Sequence, residues 1–395
     1  MSRPLDGLIV LDLTRLLPGP FASLLLADLG ARVIKVEDPR GGDYARYLPP
    51  LGGRMSAAFA ALNRDKESVA LDLKHPVGRA AFERLAAGAD VLVQSFRPGV
   101  MERLGLGPAA LAAHNPRLIT CAITGYGQDG PLAERAGHDL DYLATAGLAG
   151  LTGADGRAVP LGIQSADLMG GALYAVVGIL AALTERHRTG RGRVVDASMT
   201  DGVAGFGIML HARQHLDGLA VGPGDDLLAG SRPCYRLYTC QDGGRLAVGA
   251  LEPKFWIALC QAIGRPQYAG DGLATGKRRA VVEADLEALF ASRPRDAWVA
   301  LLAGHDVCVE PVLGLDEARR SPHAEARGLF GSHRHPGEGA EFLHQFPNPR
   351  LLPGAEPPAE VRPAPQLGAH TRAVLAEFGL SEAEIEALYA AKAAG

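Results

Sequence analysis

The sequence predicts an α/β fold: a Rossmann-like parallel sheet in a large domain holding both chain ends, plus a smaller α+β domain. Three observations point there. Short apolar strand-like runs at residues 8–13, 32–37, 69–73, 91–94 and 118–123 are separated by helical patterns, the alternation that builds a parallel sheet with helices on its faces. Length is the second: 395 residues exceed what one simple core accommodates. Composition is the third, with 47% hydrophobic and 21% charged residues, which is globular and not disordered.

The elements follow in order. After the first strand, Pro18-Gly19-Pro20 makes a loop, and residues 21–29 read as a helix stopped by Gly30. Helical patterns at residues 78–87 and 108–114 separate the later strands. Residues 145–160, rich in Gly and Ala, read as a loop with a short helix. Asp167 stands before an apolar helix, where an N-cap is expected. Its longest apolar run, residues 168–183, falls short of the ~20 residues of a membrane span, so a buried helix is expected. Residues 190–196 turn into a strand, and a helix begins at Ser198. Beyond a Gly/Asp-rich linker at 219–226, a strand pair (235–239 and 245–249) flanks the Asp242-Gly243-Gly244 turn, followed by helices near 255–263 and 281–289. Residues 331–365 read as loop. A last helix near 381–392 carries a Ser381/Glu384 capping box. The expected division is 1–205 with 335–395 as the large domain, and 206–334 as linker and small domain.

Charge and cysteine usage exclude several classes. A net charge of −4 creates no general field for nucleic acid. The five cysteines are scattered and lack CxxC spacing, which predicts reduced thiols, no zinc ribbon and a cytoplasmic protein. No signal-peptide pattern is read at the start, and no membrane partner is expected. Glu37-Asp38 ends the second strand where a dinucleotide fold keeps its ribose acid. The preceding loop, however, lacks Gly-x-Gly-x-x-Gly, so nicotinamide is not expected. His211 and His215 are four apart, but Ala212 replaces the glutamate of a zinc helix, so no metal is expected.

The candidate chemistry lies in two segments. His138, in Gly137-His138-Asp139, and Asp167, in Ser165-Ala166-Asp167, can face each other across a carbon, one removing a proton and the other returning one. For each the plain alternative is structural: a loop histidine and a helix N-cap. Glycines 170 and 171 would let a ligand approach the backbone, and helix-start amides near Asp167 would favour a developing oxyanion. Glu252, in Glu252-Pro253-Lys254-Phe255, could orient the histidine or simply open a helix. Arg40, Arg64, Lys66 and Arg97 recur near strand ends, where cations suit phosphate.

These segments resemble the class III coenzyme A transferase (CaiB/BaiF) family. The resemblance rests on Leu5-Asp6-Gly7-Leu8-Ile9-Val10-Leu11-Asp12-Leu13-Thr14, Pro18-Gly19-Pro20, Asn63-Arg64-Asp65-Lys66, Ser95-Phe96-Arg97-Pro98-Gly99 and Gly125-Tyr126-Gly127-Gln128-Asp129-Gly130-Pro131. Arg362-Pro363-Ala364-Pro365 and the run from Gly190 to Met199 add to it. His138 and Glu252, besides Asp167, resemble the α-methylacyl-CoA racemase branch. Asp65 and Ser165-Ala166 depart from the family's usual residues. The resemblance implies catalytic His138, Asp167 and Glu252, coenzyme A contacts from Arg40, Arg64, Lys66, Arg97, Gly125 and Tyr126, and an interlocked homodimer. It implies no cofactor beyond the coenzyme A of the substrate. The implied reaction is epimerisation of a 2-methylacyl-CoA; the alternative is coenzyme A transfer through an acyl-Asp167 anhydride.

Overall fold

The computed structural model describes residues 3–154, 156–335, 338–347, 349–358 and 360–395. Those parts of the expectations for 145–160 and 331–365 that fall on Asp155, Pro336, Gly337, Asn348 and Ala359 lie outside the described residues. The chain divides into two compact units. One comprises Met1–Ala146, Gly162–Gly207 and Ser321–Gly395; the other comprises Gly147–Leu161 and Ile208–Arg320.

The first unit is built on a six-stranded, all-parallel sheet. Its strands are β1 (Ile9–Asp12), β2 (Arg32–Glu37), β3 (Lys66–Ala70), β4 (Val91–Gln94), β5 (Ile119–Thr124) and β6 (Val194–Ser198), in spatial order β6-β5-β4-β1-β2-β3. The chain leaves β1 toward β2 on one side and later returns to β4 on the other. That reversal opens a crevice beyond the carboxyl ends of β1 and β4, where such sheets receive ligands. Helices cover both faces, as a parallel sheet requires. One face packs Phe82, Leu85, Leu106, Leu111, Leu375 and Ile385 against Leu11, Ile34 and Leu92, all buried.

Buried charge fixes the strand ends. Asp12 accepts from Ser23 Oγ at 2.6 Å and pairs with Lys66 at 3.2 Å, while Lys35 pairs with Asp43 at 3.0 Å. All four charged side chains are inaccessible to solvent. Burial opposes ionisation of Asp12, but Lys35 and Lys66 together hold its carboxyl far below the usual carboxylate range. Burial pulls Lys66 the other way, down to about 8. Lys35 Nζ also donates to Thr14 O at 2.8 Å, and Leu16 N donates to Asp43 Oδ1 at 2.9 Å. The loop after β1 is thus bracketed from beneath, and it carries Leu16 at φ +63°.

On the other face, α1 (Pro18–Asp28) meets the start of a long helix. Residues Ala166–Leu173 are π-helical and run directly into α3 (Tyr174–Thr189), with α2 (Asp139–Thr145) earlier in the chain and α4 (Met199–Ala204) after β6. The combined helix Ala166–Thr189 has 24 residues, so by length and composition it meets the criterion for a membrane span, unlike the shorter apolar run expected. One side of it is buried in the fold through Ala172, Ala175, Ile179 and Leu183. A Cβ on Gly170 would come 2.4 Å from Met199 O, and one on Gly202 would come 2.2 Å from Gly170 O. These glycines serve backbone-to-backbone contact between the π-helical turn and α4. The expectation that Gly170 admits a ligand is corrected accordingly.

Other boundaries also differ from expectation. The third strand begins at Lys66, not Val69, and pairs Val33 with Lys66 through Glu37 with Ala70. Residues 331–365 contain an antiparallel hairpin, Phe330–Arg334 against Glu341–Gln345, where loop was expected. Asp167 lies inside the first helical turn, the N-cap being Ser165. The final helix, Glu382–Ala390, has the Ser381/Glu384 capping box.

The second unit carries the expected strand pair, Tyr235–Thr239 with Arg245–Gly249, joined by Val309–Pro311 in an antiparallel sheet. Its core gathers Tyr238, Trp256, Phe290 and Trp298. Both indoles donate to backbone carbonyls, Trp256 to Tyr268 O at 2.7 Å and Trp298 to Phe290 O at 2.9 Å, which satisfies the polar edge of each buried ring.

Gly202→Ala should destabilise the protein by roughly 1–3 kcal/mol, because backbone must move to admit a methyl group. Gly41→Ala, where an added Cβ meets nothing within 4 Å, should stay within about 0.5 kcal/mol. Urea unfolding of both variants compares them directly.

Candidate active site

A cleft of about 730 Å3 opens at the carboxyl edge of the sheet. Arg15 and Leu16 line it from the loop after β1, Ser95, Phe96 and Arg97 from the loop after β4, and Thr124 and Gly125 from β5 and its end. His138, Asp141, Tyr142 and Asp167 complete its lining. A hollow of about 250 Å3, lined by Thr14, Arg15, Asp38, Asp72 and Phe96 among others, shares Arg15 and Phe96 with the cleft.

Local rules explain the placement of His138. It is the N-cap of α2, in extended conformation (φ −128°, ψ 175°), and its backbone N–H donates to Asp141 Oδ2 at 2.9 Å. The helix start is therefore held by the acid three residues on, while the imidazole stays exposed. The hydroxyl of Tyr142 donates to Gly137 O at 2.5 Å, and its ring meets Tyr126 edge-on at 5.2 Å. Gly125 and Gly137 are small for this reason: added Cβ atoms would lie 2.4 and 2.7 Å from the Tyr142 ring.

Asp167 is brought to the same cleft by a link that sequence reading missed. Asp139 Oδ1 accepts the Asp167 backbone N–H at 2.9 Å, tying the start of α2 to the π-helical turn. Partial burial pushes the Asp167 carboxyl up, the neighbouring Asp139 carboxylate pushes it further, and His138 pulls it back, leaving it at about 6. Burial and the same Asp167 charge push the Tyr142 phenol up to about 12. The amides of Asp167 and Leu168 are both engaged, by Asp139 and by Gln164 O at 3.0 Å. Neither is free to meet an oxyanion, which corrects the expectation placed on them.

The expected cations separate into two groups. Arg97 is exposed on the cleft wall. Arg40 is exposed beside the smaller hollow, pairing with Asp38 at 2.8 Å and Asp72 at 3.2 Å. Arg64 and Lys66 face no ligand surface. Arg64 is fully buried, bonded to Asp28 at 2.7 Å and stacked on Phe346, and Lys66 is committed to Asp12, Ser23 and Asn63. Both sit at the amino edge of β3, opposite the crevice, because that strand starts three residues earlier than its apolar run suggests. The cations that do line the cleft include Arg15, Arg103 and Arg135, none singled out from sequence. Each falls in a loop or short helix that only the sheet order brings together. Arg15 stacks between Tyr44 and Phe96, 5.3 and 5.7 Å from the two ring centres.

Glu252 belongs to the second unit. It is exposed at the N-cap of the helix Pro253–Ala262, and its side chain makes no capping hydrogen bond.

Comparison with known proteins follows the same lines. The family described as CoA-transferase family III matches residues 5–371. Alpha-methylacyl-CoA racemase of Homo sapiens is 37% identical over 96% of this chain and 95% of its own. Acetyl-CoA:oxalate CoA-transferase of Acetobacter aceti is 36% identical over 96% and 97%. The crystal structure of a CaiB/BaiF family protein from Brucella suis superimposes with a TM-score of 0.82 at 32% identity, covering 96% of this chain and all of that one.

The raised carboxyl of Asp167 has a stability consequence. An unfolded aspartate ionises near 3.8, whereas the native one stays protonated to about 6, so above that pH the fold carries a buried charge at a cost. Asp167→Asn should therefore stabilise the protein by about 1–2 kcal/mol above pH 6, after allowance for solvent screening. The gain should shrink as pH falls and vanish below about pH 4. Thermal melts at pH 4, 5, 6 and 8 read this directly.

Proposed function

This chain is a member of CoA-transferase family III, and we propose that it epimerises C2 of 2-methylacyl-CoA thioesters by transferring a proton between His138 and Asp167. The observation that carries the reading is the pairing itself: an imidazole and a carboxyl of raised proton affinity line one cleft.

The thioester makes the C2 hydrogen acidic. One residue takes that proton, leaving a planar enolate; the other delivers its own proton to the opposite face of C2. No electron is gained or lost overall, and solvent exchange resets the two groups. For one epimer His138 starts neutral and Asp167 protonated; for the other the states are reversed. A carboxyl near 6 is available in both forms around neutral pH. Transfer of coenzyme A, the alternative, needs Asp167 as an ionised nucleophile that forms an acyl anhydride. The family includes such enzymes, and the Acetobacter relative is as similar as the racemases. His138 would have no evident task in that reaction.

Arg15, Arg97, Arg103 and Arg135 give the cleft the cationic lining that suits the phosphates of a coenzyme A ester. Arg40 and the smaller hollow are the remaining candidates for its nucleotide end. Glu252 enters through the family resemblance as a residue that orients His138. The helix Ile208–Asp217 buries none of its side chains, and Ile208, Met209 and Leu216 are strongly exposed, which supports association of two copies, interlocked as the resemblance implies.

A single 2-methylacyl-CoA epimer incubated in D2O should gain deuterium at C2 as it epimerises. His138→Ala should slow both processes by roughly 10²–10⁴-fold. Coenzyme A transfer to a carboxylic acid, with a hydroxylamine-sensitive acyl group on Asp167 and no C2 exchange, would overturn the racemase reading. Separately, Arg97→Ala should raise KM by roughly tenfold or more with little change in kcat, an effect that fades at high salt.

A further inference from the structure

We propose that Asp139 is a positioning residue for Asp167: its carboxylate fixes the Asp167 peptide in place, and its negative charge sets the electrostatic surroundings in which Asp167 exchanges a proton. This rests on the racemase reading.

The geometry is specific. Asp139 is the first residue of α2, directly after N-cap His138, and its Oδ1 accepts the Asp167 N–H at 2.9 Å across 28 positions of sequence. One helix start thus carries the histidine on one residue and clamps the opposing acid with the next. That hydrogen bond ties the backbone of Asp167 to the residue next to His138. Behind Asp167, the π-helical turn is pinned to α4 by the Gly170–Gly202 backbone contact, so the clamp acts on a rigid element.

The charged and titratable groups around Asp167 come from several elements. Asp139, His138 and Tyr142 come from α2 and its cap, and the hydroxyl of Tyr142 is committed to Gly137 O. Asp141, Tyr44 and the guanidinium groups of Arg15, Arg97, Arg103 and Arg135 line the same cleft. Of these, burial aside, Asp139 is the group that drives Asp167 toward its protonated form, while His138 opposes it.

Asp139→Asn separates the two effects, because its amide oxygen can still accept the Asp167 N–H while the charge is gone. Asp139→Ala removes both. The test is the titration of the Asp167 carboxyl by carbon-13 NMR of aspartate-labelled protein, assigned by the resonance missing in Asp167→Asn. Alongside it, the pH profile of C2 deuterium exchange is recorded. In Asp139→Asn the Asp167 midpoint should fall by about one pH unit, with the profile moving to lower pH in step. Asp139→Ala should show a similar fall and, with the peptide unclamped, a larger loss of kcat. An unchanged midpoint in folded Asp139→Asn and Asp139→Ala would overturn the proposal. The NMR titration needs no turnover. A shifted midpoint without exchange in any 2-methylacyl-CoA would therefore support the role of Asp139 and overturn the racemase reading instead.

Discussion

The buried cluster of Asp12, Lys35, Lys66 and Asp43 is the constraint on which the large unit rests. Two lysines inside a parallel sheet can remain only if carboxylates neutralise them, and removing one partner would strand a charge at a cost of about 3–5 kcal/mol. Asp12 answers to both lysines at once. That dual demand ties β1 to β2 and β3, and through Ser23 it ties the sheet to α1. The same lysine that neutralises Asp43 holds the carbonyl of Thr14, so the loop after β1 is fixed where it meets the cleft. Arg15, on that loop, lines the cleft. Charge that is costly to bury thereby becomes the support for charge that must stay exposed.

A second support stands under the catalytic side. Close helix packing at Gly170 and Gly202 sets the π-helical turn, the π-helical turn sets Asp167, and Asp139 links it to the start of α2. The first contact is backbone to backbone and the last is a side-chain carboxylate on a backbone N–H, so the Asp167 peptide is held from two sides. Under the proposed proton transfer such preorganisation matters, because displacement of either group would lengthen the path to the reacting carbon and cost rate steeply. Such a site is held against local preference. Asp167 would ionise more readily in water, and the fold keeps it partly desolvated beside another acid.

Local sequence rules were sufficient for most elements because their signals are short-range. Apolar runs marked five strands, Gly30 marked a helix end, and Ser381 with Glu384 marked a capping box. They failed where a residue's partner is distant. Lys66 and Arg64 looked like loop cations near a strand, yet β3 begins at Lys66 because Asp12 and Asn63 satisfy its ammonium inside the fold. The hairpin of Phe330–Arg334 and Glu341–Gln345 escaped notice because its strands hold few apolar residues, His344 filling one of the two buried positions of the second strand. Gly170 resembled a ligand-facing glycine because nothing nearby in sequence reveals that Met199 O lies against it.

By itself the sequence determined the layer architecture and the absence of a dinucleotide glycine loop, and it singled out His138 and Asp167 as candidates, since these depend on residue type and local pattern. Tertiary structure alone decided which arginines face the cleft, which cations are structural, and what Asp167 is near. The reason is physical. Strand order brings the loops after β1, β4 and β5 to one edge, and proton affinity depends on burial and on charges a few ångströms away, neither of which is encoded in neighbouring positions of the chain.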